Sequence, residues 1–335
     1  MSPAELLSEP FMQRALIAAL FTGLAAPAVG TFLVQRRLAL MGDGIGHVAV
    51  TGVALGLVTG TSPTWTAVLV AIGGAVLLEI IRERGRTSGD VALALLFYGG
   101  LASGILISGI GGNSTATLQR YLFGSLTTIS VDDVIVTMVL AAVVIVLCLG
   151  LAPQLFAVAQ DQDFARVAGL RVSFYNVLVA VLAAVSVTVA MRTVGLLLVS
   201  ALMVVPVATS QQLTRSFRTT IAAAMVLGTV ASVGGLVLAA VASTYDVNAM
   251  PGPTIVLLAL AGYVVAWPVG VWTRHRARLR APFPDAGPTE HEPTETHPHQ
   301  HGPDCGHLAV PHDDHIDYVH DGHRHAEHGA HYDEH

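Results

Sequence analysis

The chain has 335 residues, of which 53% are hydrophobic and only 12% charged, and its mean hydropathy is +0.63. Soluble domains carry about 25% charged residues, so this composition excludes an ordinary soluble enzyme and indicates a polytopic membrane protein. The net charge of -6 is divided unevenly: residues 1–280 hold 16 Arg against 11 Asp and Glu, or +5, while residues 281–335 hold one Arg against 12 acids, or -11, with 13 of the 15 His. All 17 basic residues are Arg. A P-loop needs its Lys to reach the terminal phosphates, so a standard P-loop ATPase is excluded, and any ATP must be bound by another subunit. Cys148 and Cys305 lie far apart and imply no disulfide framework.

The N-terminus, MSPAELLSEPFMQR, has no basic region ahead of the first apolar run, so a retained helix is expected rather than a cleaved signal. Crossing the bilayer core takes about 20 apolar residues. Nine spans are expected, at 12–34, 42–60, 64–81, 91–110, 132–151, 173–190, 194–210, 219–241 and 254–272. With the N-terminus outside, 13 Arg fall on inside segments, among them Arg36, Arg37, Arg82, Arg84, Arg166, Arg171 and Arg274. Only Arg14, Arg120 and Arg192 then fall outside. Nine spans from an outside start place the C-terminal tail in the cytoplasm. Residues 111–131 are expected outside as an interfacial or re-entrant segment. Residues 152–172, on the inside, contain a short helix opened by Asp161 and Asp163 and closed by Gly169. It is either an ordinary loop helix or a docking helix for a soluble partner.

Ionisable residues within spans are costly and often functional. Asp43 and His47 share one helical face at i,i+4 spacing. A carboxylate and an imidazole can together ligate a divalent transition metal. They can equally bond to each other or meet Arg36 and Arg37. Gly52, Gly56 and Gly60 form a doubled GxxxG for close helix packing. Pro206 interrupts span 194–210 and is a candidate pathway hinge. Glu79 is expected to pair with Arg82, Arg84 or Arg86.

Residues 281–335 are poor in apolar residues and are expected to be disordered. Their candidate metal ligands are His297, His299, His301, His312, His315, His320, His323, His325, His328, His331 and His335. The clusters are interrupted, unlike an affinity tag.

Five stretches resemble the membrane permease subunit of zinc/manganese ABC importers: QRRLALMGDGIGHVAVTGVALG (35–56), QRYLFGSL (119–126), DFARVAGLRV (163–172), AMRTVGLLLVSALMVVPVATS (190–210) and YDVNAMPGPTIVL (245–257). They span nearly the whole of residues 11–272; the tail lies outside the shared pattern. The resemblance implies an all-α permease of about nine transmembrane helices with a disordered C-terminal tail. Residues 1–280 would form the permease domain and 281–335 the His-rich acidic tail. The permease would work as a homodimer on cytoplasmic ATPase subunits, with an extracellular metal-binding protein delivering the ion.

The resemblance also implies that Asp43 and His47 form a metal transit site. Asp161, Asp163, Phe164, Arg166, Val167, Gly169 and Leu170 would couple to the ATPase. The expected function is import of zinc. Manganese or iron import by the same family, or a secondary metal transporter, are the alternatives. No enzymatic activity, prosthetic group or nucleic-acid partner is expected; zinc or manganese is cargo. An intramembrane hydrolase is disfavoured because HExxH is absent and Leu40 stands where a GxGD motif needs its first Gly.

Overall fold

The computed structural model describes residues 3–84, 89–111, 129–193, 195–245, 247, 249–280 and 292–294, and most of 301–334. The chain forms two compact units, Met1–Val271 and Trp272–His335. The division falls inside the last long helix rather than at the composition boundary after Arg280.

The first unit is helical: α1 (Pro3–Ser8), α2 (Pro10–Gln35), α3 (Met41–Thr59), α4 (Pro63–Glu83), α5 (Gly89–Ile110), α6 (Val131–Gly150), α7 (Ala152–Gln160), α8 (Gln162–Val167), α9 (Val172–Thr193), α10 (Leu196–Leu213), α11 (Phe217–Ser243) and α12 (Pro251–Arg280), which runs on into the second unit. Each of the nine expected spans falls on one of these helices. Eight are long and apolar enough to cross a membrane, and α10 is the shorter ninth. The expected re-entrant segment 111–131 lies mostly outside the described residues.

Helices α2, α3 and α9 are the most buried, whereas α4, α5, α6 and α12 turn large apolar side chains such as Leu69, Leu95, Val146 and Val265 outward. In lipid, apolar side chains gain little by leaving their surroundings, so helices associate through close packing and interhelical hydrogen bonds. The central helices are accordingly lined with Ala15, Ala18, Ala19, Ala25, Ala26, Ala180, Ala183 and Ala184. Gly23 of α2 faces Gly228 of α11 so closely that a Cβ on Gly228 would stand 2.6 Å from the Gly23 carbonyl oxygen. Nearby, the buried Ser232 hydroxyl donates to the Ala19 carbonyl at 2.9 Å.

The α3 glycines serve two purposes. Cβ atoms at Gly52 or Gly56 would strike the backbone of α4, as helix packing requires. Gly60 instead caps α3 at φ +67, with open space around it.

Where disorder was expected, the second unit holds strands. Strands β1 (Glu292–Thr294), β2 (Leu308–His312), β3 (His315–His320), β4 (His323–His328) and β5 (His331–Glu334) form an antiparallel sheet of order β1-β5-β4-β3-β2. The sequence reason is an eight-residue repeat, HDDHIDYV-HDGHRHAE-HGAHYDEH (312–335), in which two residues between paired His join successive strands. Two-residue connections, including an Asp-Gly, favour hairpins whose register is then fixed locally. Composition alone does not register this pattern. The sheet buries polar groups instead of an apolar core: Asp317 is fully buried beside Arg324, with Nη1 to Oδ2 at 3.7 Å, and 3.1 Å from His315 Nε2.

Candidate functional site

Asp43 and His47 lie on the first two turns of α3, among the most enclosed parts of the bundle. His47 is 5% exposed, while the Asp43 side chain keeps 31% of its surface open. Oδ1 of Asp43 and Nε2 of His47 are 3.9 Å apart. That is too long for a hydrogen bond. It is within the span of one bound cation, since two metal–ligand bonds of about 2.1 Å reach roughly 4.2 Å at most. His47 Nδ1 is buried and has no hydrogen-bond partner among the described residues. The ring is held by Phe97 of α5, edge-on at 4.1 Å between centroids.

Neighbouring helices come close to this pair because α3 begins with glycines. A Cβ at Gly42 would meet Met203 Sδ, one at Gly44 would meet Leu93, and one at Gly46 would collide with Leu196. Gly100 of α5 likewise lies against the His47–Val48 backbone. Two further oxygens join the pair. The Ser200 hydroxyl of α10 donates to Asp43 Oδ1 at 3.4 Å. One turn beyond His47, Thr51 bonds the Gly100 carbonyl at 2.7 Å and Ser103 at 2.9 Å. Asp43, His47 and Thr51 thus form a polar stripe at i, i+4 and i+8. Sequence reasoning missed Ser200 and Thr51; Thr51 had a usable signal in its spacing, whereas Ser200 becomes visible only when α10 packs on α3.

Among the described residues the competing arginine contact is not made. Arg36 reaches Glu79 of α4 at 3.4 Å, where Arg82 also binds at 2.8 Å. Glu79 is 1% exposed and its carboxylate is shared by the two guanidinium groups. Burial pushes the Arg36 guanidinium below its usual range, and Glu79 opposes that shift. Arg82 was the expected partner of Glu79; Arg36, across 43 positions, was not. Asp43 is therefore left to His47 and Ser200.

Pro206 lies six residues past Ser200, about 120° further round α10. It lines an apolar cavity of about 510 Å³ with Thr209, Leu227, Leu258 and Ala266, on α10, α11 and α12. The fold does not bring it to the Asp43–His47 pair.

The segment carrying the expected coupling residues folds as predicted at its ends. The Asp161 side chain caps α8, accepting from the amides of Asp163 and Phe164 at 2.9 Å. Gly169 closes the helix at φ +83. Its amide bonds the Arg166 carbonyl, and the Leu170 amide bonds that of Ala165, a Schellman closure. Leu170 packs inward with Val158, Ala165 and Val172, so it anchors the segment rather than presenting itself. Phe164 and Val167 point outward, at 66% and 89% exposure, beside the Asp163–Arg166 ion pair. A helix on α7, Ala152–Gln160, precedes the expected one, tied to α2 by a 2.6 Å Gln160–Gln35 bond.

Of the tail histidines, His301, His307, His315 and His325 have described side chains, His307 not having been among the expected ligands. His312, His320, His323, His328 and His331 are placed by strand register alone, pairing 312 with 315, 320 with 323 and 328 with 331. His297, His299 and His335 lie outside the described residues.

The chain is similar to known proteins. The manganese import system permease protein ScaB of Streptococcus gordonii is 30% identical over 268 residues, 80% of this chain and 94% of that one. The manganese transport system membrane protein MntC of Halalkalibacterium halodurans is 30% identical over 282 residues, 83% and 94% of the two chains. Among solved structures, PsaBC from Streptococcus pneumoniae in complex with Fab superposes with a TM-score of 0.72 at 28% identity, covering 82% of this chain and 99% of that one. Residues 8–269 match the ABC 3 transport family, and the chain, a multi-pass helical membrane protein, belongs to that family.

Proposed function

We propose that this chain is the permease subunit of an ATP-driven importer that carries manganese, with Asp43 and His47 ligating the ion in transit. The carrying observation is the 3.9 Å carboxylate–imidazole pair, enclosed by glycine-mediated packing and joined by Ser200. Two oxygens and one imidazole make a hard, oxygen-weighted donor set, which suits manganese better than the thiolate or multi-imidazole sets that favour zinc. The names of the relatives point the same way. An incomplete ligand set also suits a transit site, where water completes the shell and release stays easy.

Energy comes from a separate ATPase subunit seated on α7 and α8, with Phe164 and Val167 as its apolar contacts. A second permease copy completes the pathway and an extracellular metal-binding protein loads it. The positive-inside bias supports an outside N-terminus, a cytoplasmic tail and residence in the cell membrane.

The test is elemental analysis of cells under manganese and zinc limitation. Wild type is expected to raise cellular manganese. Asp43→Ala and His47→Ala should abolish the increase at normal membrane levels, and Val167→Asp should abolish it with loss of ATPase co-purification. Accumulation of zinc alone would overturn the choice of cargo. Unchanged manganese uptake in both site variants would overturn the transit site.

A further inference from the structure

The loop that leads into β2 gathers an unusual set of donors. One ligand atom from each of His301, Cys305 and His307 lies within 4.8 Å of the other two. Gly306 stands between the last two at φ +78, a backbone that L side chains adopt only under strain. The turn it makes keeps both flanking side chains within reach of His301. His301 is itself 7% exposed. Its ring stacks on Tyr318 at 5.2 Å with 3° between planes, and lies 5.1 Å from the His307 ring and 5.6 Å from that of His325. Tyr318 and His325 are register partners on β3 and β4, so they share one face of the sheet, and His301 lies over that face.

The geometry points to a thiolate–imidazole metal site of His301, Cys305 and His307, its fourth position left to water, that selects zinc over manganese. Zinc binds Cys sulfur at about 2.3 Å and His nitrogen at about 2.0–2.1 Å in tetrahedral shells. Neighbouring donors in such a shell stand roughly 3.3–3.6 Å apart. A cluster spread over 4.8 Å therefore closes on an ion by side-chain movements of about an ångström. Thiolate is a soft ligand that favours zinc and leaves manganese poorly held. The donor set is thus opposite in character to the oxygen-weighted pair on α3. One chain carries a site for each kind of ion, and the second reports or stores zinc while the first passes its cargo. Metal held here would also tie Cys305 and His307 to His301 over the sheet, adding binding free energy to the fold of the tail.

The test uses the full-length protein in detergent, with cobalt as a spectroscopic stand-in for zinc. Only a thiolate ligand gives a sulfur-to-cobalt charge-transfer band, and the chain has two cysteines. Cys148 is fully buried in α6, so Cys148→Ser should keep the band, and Cys305→Ser should lose it. His307→Ala and Gly306→Ala should weaken cobalt binding by about ten-fold or more, the scale on which even outer-shell partners act. Equimolar zinc should displace the cobalt and excess manganese should not. A wild-type protein without the band, a band that survives Cys305→Ser, or displacement by manganese as readily as by zinc would each overturn the assignment. None of these readings involves uptake, so failure of the transport proposal would leave them unaffected.

Discussion

At the scale of single residues, the site turns on which partner each buried charge takes. Asp43 lies seven positions after Arg36, yet Arg36 goes to Glu79, and Asp43 is left with an imidazole and a hydroxyl. A carboxylate clamped by a guanidinium would be a poor cation ligand; one that meets only His47 and the Ser200 hydroxyl can share an ion with both. Ser200→Ala tests this division of labour. A hydroxyl contact as long as 3.4 Å contributes about 1 kcal/mol, equivalent to roughly five-fold in affinity. The variant should therefore import at normal maximal rate but need about five-fold more external metal, the scale set by that bond. Initial uptake rates measured across a range of metal concentrations would show this; complete loss of uptake would make Ser200 an obligatory ligand instead.

At the scale of helices and strands, close approach depends on missing side chains. Gly228 is the sharpest case, because an added Cβ would meet both Pro27 and the Gly23 carbonyl. Overpacking of this kind costs about 1–3 kcal/mol. Gly228→Ala should lower the melting temperature of the detergent-solubilised protein. Gly262→Ala, with nothing within 4 Å, should not. Equal melting of the two would show that α2 and α11 can part without cost. The same scale explains what could be read from the sequence. Long apolar runs delimit the expected spans, because the bilayer imposes a length that composition records directly. The cap residues Asp161 and Gly169 mark α8 for the same reason: their chemistry is local. Ser200 and the Arg36–Glu79 contact depend on which helices become neighbours, and no spacing within one helix encodes that. The tail is a different case. Its eight-residue repeat was present in the sequence, but average polarity concealed a period that pairs His with His across two-residue connections.

At the scale of the molecule, the two units differ in every property that sets their roles. Residues 1–280 carry +5, turn apolar side chains outward and hold the Asp43–His47 pair within the bundle. The residues after Arg280 carry -11, most of the histidines and Cys305. Every contact named around Asp43 comes from α3, α5 or α10, all within the first unit. Ending the chain after Arg280 should therefore preserve membrane insertion and manganese uptake. What should change is the response to zinc. A full-length chain whose tail binds zinc tightly meets rising zinc with an occupied thiolate site, and the truncated chain cannot. Uptake by the two forms should coincide without zinc and diverge as zinc is added, with Cys305→Ser behaving like the truncation. Loss of all uptake in a stably inserted truncation would make the tail part of the transport path. Identical zinc responses in all three forms would confine its histidines to passive binding.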